Sequence, residues 1–122
     1  MAKIKNHTNL EESKILEKIL PLESADMCYS NDGTAIKIDA NPYLVRKKMW
    51  QNIEVIPCWS LAALLEIIKK PTAFDLLING RGYRCHCTDK YEGKFHGTED
   101  YCDNAIDACV EINIKLNEQK IL

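Results

Sequence analysis

Six cysteines in a chain of 122 residues constrain this protein more than any other feature. A disulfide frame, a zinc site and a plain apolar core each demand a different kind of fold. A domain of this length buries roughly 65% of its unfolded surface, so it needs no covalent staples to fold. Residues 1–8 carry basic side chains but no apolar run behind them, and so do not read as a signal peptide. The apolar stretch from Leu61 to Ile68 is broken by Glu66 and falls far short of the ~18 residues that span a bilayer. The expected setting is cytoplasmic, with no membrane, where thiols stay reduced. Disulfides therefore recede, which leaves metal, catalysis or core.

Cys85-x-Cys87, His96 and Cys102 form a group of four soft donors close in sequence, and zinc takes such a set tetrahedrally. Structural sites usually present C-x₂-C on a tight knuckle, whereas Cys85-x-Cys87 sits on an alternating strand. The pleat puts both thiols on one face with Tyr83, opposite Phe74, Leu76 and Ile78. In a third strand over residues 91–96, Phe95 is expected to share that apolar side and turn His96 outward. The donors then diverge, so we expect reduced core cysteines and no metal or cofactor. Cys109 lies on the apolar stripe of the last helix. Cys58 beside Pro57 and Trp59, and Cys28 beside Met27 and Tyr29, fit packing. Cys102 stands just before a helix N-terminus, which favours a thiolate, and His86 or His96 can approach it. A cysteine-dependent enzyme built on Cys102, and a zinc module built on Cys85, Cys87, His96 and Cys102, are therefore the alternatives to a non-enzymatic chain. No oxyanion hole, glycine-rich phosphate loop or Ser/His/Asp set accompanies them.

The local signals alternate between helix and strand. Thr8 with Glu11, or Asn9 with Glu12, has capping-box spacing, followed by a stripe of Leu10, Ile15, Leu16, Ile19 and Leu20 that Pro21 ends. Residues 22–29 suit a short helical turn. Ile36 and Ile38 alternate with Lys37 and Asp39 as a half-buried strand over 34–40. Residues 43–56 are ambiguous between helix and strand. Ser60 caps a helix to Lys69 whose Leu61, Leu64, Leu65 and Ile68 share one face, with Pro71 as the stop. Phe74 to Ile78 and Tyr83 to Cys87 flank Asn79-Gly80, a type I′ hairpin signal. A last helix from Asp103 or Asn104 to about Gln119 carries Ala105, Cys109, Ile112 and Leu116 on one stripe.

These elements predict one α+β domain over 1–122, with a flexible lead of about 1–8. A small antiparallel sheet of three or so strands is packed on one face by the 60–69 and 103–119 helices. An additional N-terminal helix, marginal alone, docks on its own domain or on a second copy, which leaves a homodimer open. A net charge of −2 provides no basic field for a nucleic-acid backbone. Arg46-Lys47-Lys48 beside Trp50 reads as a solvated helix face with one buried Trp. The helix–strand–strand–strand–helix order from Ser60 on matches the double-stranded-RNA-binding domain in topology only, because Glu99-Asp100 and Asp103 stand where such domains are basic. The outward hairpin face is expected to show Asp75, Arg84, His86, Glu92, Lys94 and His96, with Asp75 and Arg84 as cross-strand neighbours. Arg84, His86, Lys94 and His96 are the binding candidates on it, for a protein partner rather than nucleic acid.

Three stretches, Leu22 to Tyr29, Ile56 to Leu65 and Asp103 to Glu111, resemble a group of small uncharacterised proteins from Bacteroides-type gut bacteria, many encoded near prophage-like or other mobile elements. The resemblance spans about residues 17–118. In that group the position of Ala105 is often proline, and alanine suits a first helical turn equally. The resemblance implies an accessory protein of bacterial or phage origin and carries no activity, cofactor or catalytic residue with it.

Overall fold

The computed structural model describes residues 5–29, 34–37, 56–98 and 100–122. Helix α1 (Leu10–Glu17) uses the second of the two possible capping boxes. The Asn9 side chain accepts from the Glu12 N–H (2.8 Å), and the Glu12 carboxylate accepts from the Asn9 N–H (2.9 Å). After Pro21 comes a 3₁₀ turn at Leu22–Ser24. Strand β1 (Met27–Tyr29) then pairs antiparallel with β2 (Ala35–Lys37) on one side and β3 (Ile56–Cys58) on the other. Helix α2 (Leu61–Lys69) starts at the Ser60 cap, whose Oγ accepts from the Ala63 N–H. Strands β4 (Thr72–Asn79), β5 (Gly82–Asp89) and β6 (Phe95–Gly97) form a second antiparallel sheet in that order. Helix α3 (Ala105–Glu118) closes the chain, with the Asn104 side chain accepting from the Asp107 N–H at 2.8 Å.

The fold is α+β, with two three-stranded antiparallel sheets among the described residues where the sequence suggested one. The hairpin sheet is packed on one face by α2 and α3. Ile68, Ala108, Ile112 and Leu116 from the helices meet Cys85 and Cys87 from β5 in one buried cluster. A second cluster joins α1 to both helices through Leu16, Leu20, Trp59, Leu64, Ile106 and Cys109. Its centre is Trp59, fully buried, with its indole N–H donating to Ser24 Oγ at 3.0 Å. The buried Thr8 locks the N-terminal segment against it: the Thr8 N–H donates to the Trp59 carbonyl (2.9 Å), and Thr8 Oγ1 accepts from the Trp59 N–H (3.1 Å). Helix α1 thus docks on its own domain. It does so through Ser13, Leu16 and Leu20, on a stripe narrower than expected, since Leu10 and Ile15 are 44% and 48% exposed.

Two local expectations are corrected. Neither central residue of the 79–82 hairpin loop has positive φ, so the turn is not type I′. The Asn79 side chain accepts from the Arg81 N–H at 2.7 Å, and the positive φ falls on Gly82, at 129°. A Cβ on Gly82 would also collide with the Cys102 carbonyl oxygen, because the 101–102 segment bonds to Tyr83 in both directions at 2.8–2.9 Å. The third strand is the other correction. It is short, and its two faces are exchanged relative to the expectation: Phe95 is 64% exposed, while His96 is 7% exposed. The β5–β6 turn decides this. The Asp89 carboxylate accepts from the Tyr91 and Glu92 N–H groups (2.7 and 2.8 Å), and the Asp89 N–H donates to the Lys94 carbonyl. That geometry sets Cys87 opposite His96 and Thr88 opposite Phe95, and one residue of slip exchanges the faces of a strand. The strand expected over 34–40 is found at Ala35–Lys37, with 38–40 outside the described residues. Most of the ambiguous 43–56 segment, including the Arg46-Lys47-Lys48 and Trp50 group, also lies outside them, although Ile56 opens β3.

Candidate functional site, an open sheet face

Since α2 and α3 occupy one side of the hairpin sheet, alternation assigns the other side to Ala73, Asp75 and Leu77 of β4, to Arg84, His86 and Thr88 of β5, and to Phe95 of β6. Asp75, Leu77, Thr88 and Phe95 are exposed on it. Asp75 stands opposite His86 and Leu77 opposite Arg84, so the Asp75–Arg84 cross-strand pair expected from the sequence is diagonal rather than direct. Gly97 faces His86 across the β5–β6 ladder. With no side chain there, the His86 and Phe95 rings meet edge to face, with centroids 5.1 Å apart and planes at 69°. A Cβ at Gly97 would approach His86 Cδ2 to 3.1 Å and Phe95 Cε1 to 3.3 Å.

The other half of the face is built around Tyr101. Its ring lies 5.1 Å from the Arg81 guanidinium and 5.3 Å from that of Arg84, a range in which cation–π attraction operates. Arg84 Nη2 donates to the Thr98 carbonyl at 2.6 Å, which orients the fork. A hydrogen bond with Asn79, then the neighbouring Arg84 and Arg81, hold the Tyr101 hydroxyl below its ordinary pKa. Arg84 Nε and His86 Nε2 are shielded from solvent and have no hydrogen-bond partner among the described residues. Such atoms carry an uncompensated desolvation cost.

The four binding candidates do not stay together. Arg84 and His86 share the open face. His96 is turned to the helix-covered side, so its expected place on the outward face is incorrect. Its Nε2 lies 3.8 Å from Asp89 Oδ2, beyond hydrogen-bond reach. The Glu92 N–H, then the Tyr91 N–H and the His96 charge, hold the Asp89 carboxyl below its usual range. Lys94 is largely exposed and paired with Glu92 at 3.2 Å. Lys94 and His96 help line a cavity of about 220 Å³ with Asp89, Tyr91 and Lys120. Arg81 and Tyr101, which no sequence pattern marks as a site, belong to the open face, and so does Phe95, expected on the opposite side. Only Arg81 had a sequence signal, its place in the hairpin turn.

The thiols are mostly internal. Cys28, Cys58, Cys85, Cys87 and Cys109 are buried and unbridged, and Cys102 is half-buried. Burial pushes the Cys58 thiol up to about 12 and that of Cys87 up to about 11. The hydrogen bond with Cys109, with burial, raises Cys85 as well. For Cys102, the expectation that the helix N-terminus favours a thiolate is reversed. Burial and then the Glu111 carboxylate, whose Oε2 lies 3.5 Å from Sγ, push this thiol up to about 11. Among the described residues no three of His, Cys, Asp and Glu are grouped to hold a metal ion, and no helix is long and apolar enough to cross a membrane. No family model, no curated protein and no solved structure matches this chain.

Proposed function

We propose that this chain is a cytoplasmic, non-enzymatic accessory protein that binds another protein through the open face of its β4–β5–β6 sheet. The observation that carries the reading is that the exposed Phe95, packed on His86, shares a face opposite the helices with the Tyr101 ring and its two guanidiniums. Aromatic and arginine side chains dominate the energy of protein interfaces. An accessory role also fits the mobile-element group that the sequence resembles.

The test is affinity purification of the full chain beside Phe95→Asp and Arg84→Glu variants, followed by cross-linking and peptide mass mapping. A protein retained by the wild type, cross-linked next to residues 84–101 and lost from both folded variants is the expected result. Retention that both substitutions leave unchanged refutes the reading.

A further inference from the structure

Among the described residues, no strand pairs with the outer edge of β4 in the hairpin sheet. Along β5, the Tyr83 and Asp89 N–H groups donate to the Cys102 and Lys94 carbonyls and the Cys85 carbonyl accepts from the Thr98 N–H, all away from β4. Their register partners Ile78, Leu76 and Thr72, and Phe74 between them, therefore turn their N–H and C=O groups to the outer side of β4, as an antiparallel ladder requires. No strand takes up those groups among the described residues. Natural sheets guard such edges with lysine, proline or a bulge. The β4 sequence TAFDLLIN has neither residue, and its register with β5 runs without interruption from Thr72 to Asn79. Ile78 is on the helix side by alternation, yet it is 67% exposed beyond the end of the helical cover.

We propose that β4 pairs antiparallel with β4 of a second copy of this chain, about a two-fold axis at Leu76. In that register Phe74 lies opposite the second copy's Ile78, and Asp75 opposite its Leu77. The exposed isoleucine then gains an aromatic neighbour, and the helix-covered sides of the two sheets stay continuous because the faces are matched. Centring on Asp75 would set two carboxylates directly opposite each other, which like-charge repulsion disfavours. The self-complementarity of the apolar row about Leu76 selects a second copy over an unrelated strand. The two open faces then lie side by side on one enlarged sheet.

Sedimentation equilibrium of the full chain over a range of concentrations reads the association directly, and a dimer is expected. Ile78→Lys, folded by circular dichroism, is expected to raise the dimer dissociation constant roughly tenfold or more. Independently, a mixture of Asp75→Cys and Leu77→Cys chains under mild oxidation is expected to yield the mixed cross-linked dimer in excess of either self-linked one. A monomer at every concentration overturns the proposal. So does a dimer whose mixed cross-link does not form preferentially, because it associates through another surface.

Discussion

The two faces of the β4–β5–β6 sheet are built from alternate residues of the same strands, yet they obey different chemistry. On the helix side, Cys85 and Cys87 contribute small, slightly polarisable groups that Ile68, Ile112 and Leu116 close over. On the other side, Arg84 and His86 stand among aromatic rings and solvent. His86 and His96 make the contrast sharp: Gly97 stands opposite the first and Cys87 opposite the second, and only the second is buried. The difference teaches that a ladder alone does not decide function. What covers each face does.

The comparison breaks most visibly if the buried side proves tolerant. Leu116→Ala, at a fully buried position, is expected to cost about 2–5 kcal/mol in denaturant unfolding, since a cavity is left that rigid neighbours cannot fill. A cost under ~1 kcal/mol would mean that this side is not the core. Second in size is the reactivity of the half-buried thiol at the start of α3. With its pKa near 11, Cys102 should carry roughly a hundredfold less thiolate at pH 7 than an unperturbed cysteine. Labelling with a maleimide in the folded state checks this, and a rate equal to that of free cysteine contradicts it.

A third measurement concerns the contact that ties the N-terminal segment to the helix ends. Lys5 Nζ donates to Glu12 Oε1 and Asp107 Oδ1, both at 2.6 Å. Burial works against the Asp107 charge, but the Lys5 ammonium outweighs it and holds the carboxyl low. Burial likewise opposes the Lys5 charge, but the hydrogen bonds and charges of Asp107 and Glu12 raise that group. The Asp107 contribution is therefore present above about pH 4 and is lost as pH falls through its folded value. The Lys5 contribution is complete below about pH 10 and is lost as pH rises through its own. Asp107→Asn is expected to remove roughly 1 kcal/mol at pH 7 and to flatten the acid limb of stability against pH. An unchanged acid limb would remove the network from the stability account. The smallest effect belongs to the open face: Phe95→Ala should change stability by no more than ~0.5 kcal/mol while abolishing partner retention. A larger loss of stability would make the ring structural and erase the contrast between the faces.

Where local rules govern, the sequence was legible. The Ser60 cap, the apolar row of α2, the Pro71 stop and the Asn104 start of α3 depend on neighbours within a few residues. The inward direction of Cys85 and Cys87 follows from strand parity alone. Hydrophobicity points Phe95 inward and His96 outward, whereas the Asp89-capped turn sets the register that places them the other way. Tyr101 gave no local sign at all, since its place between Arg81 and Arg84 depends on a two-way backbone contact between Tyr83 and Cys102.

From its amino acids alone the chain committed to an α+β domain, to its principal helices with their ends, and to Cys85, Cys87 and Cys109 turned into the core. Those properties arise from capping, periodicity and burial, which act over a turn or a pair of strands. The tertiary structure alone decided that the described strands divide into two sheets, which histidine is buried, and that Arg81, Arg84 and Tyr101 converge on one surface. The physical reason is that register and chain crossing are set by turn geometry and by contacts between residues distant in sequence, and no local pattern encodes either.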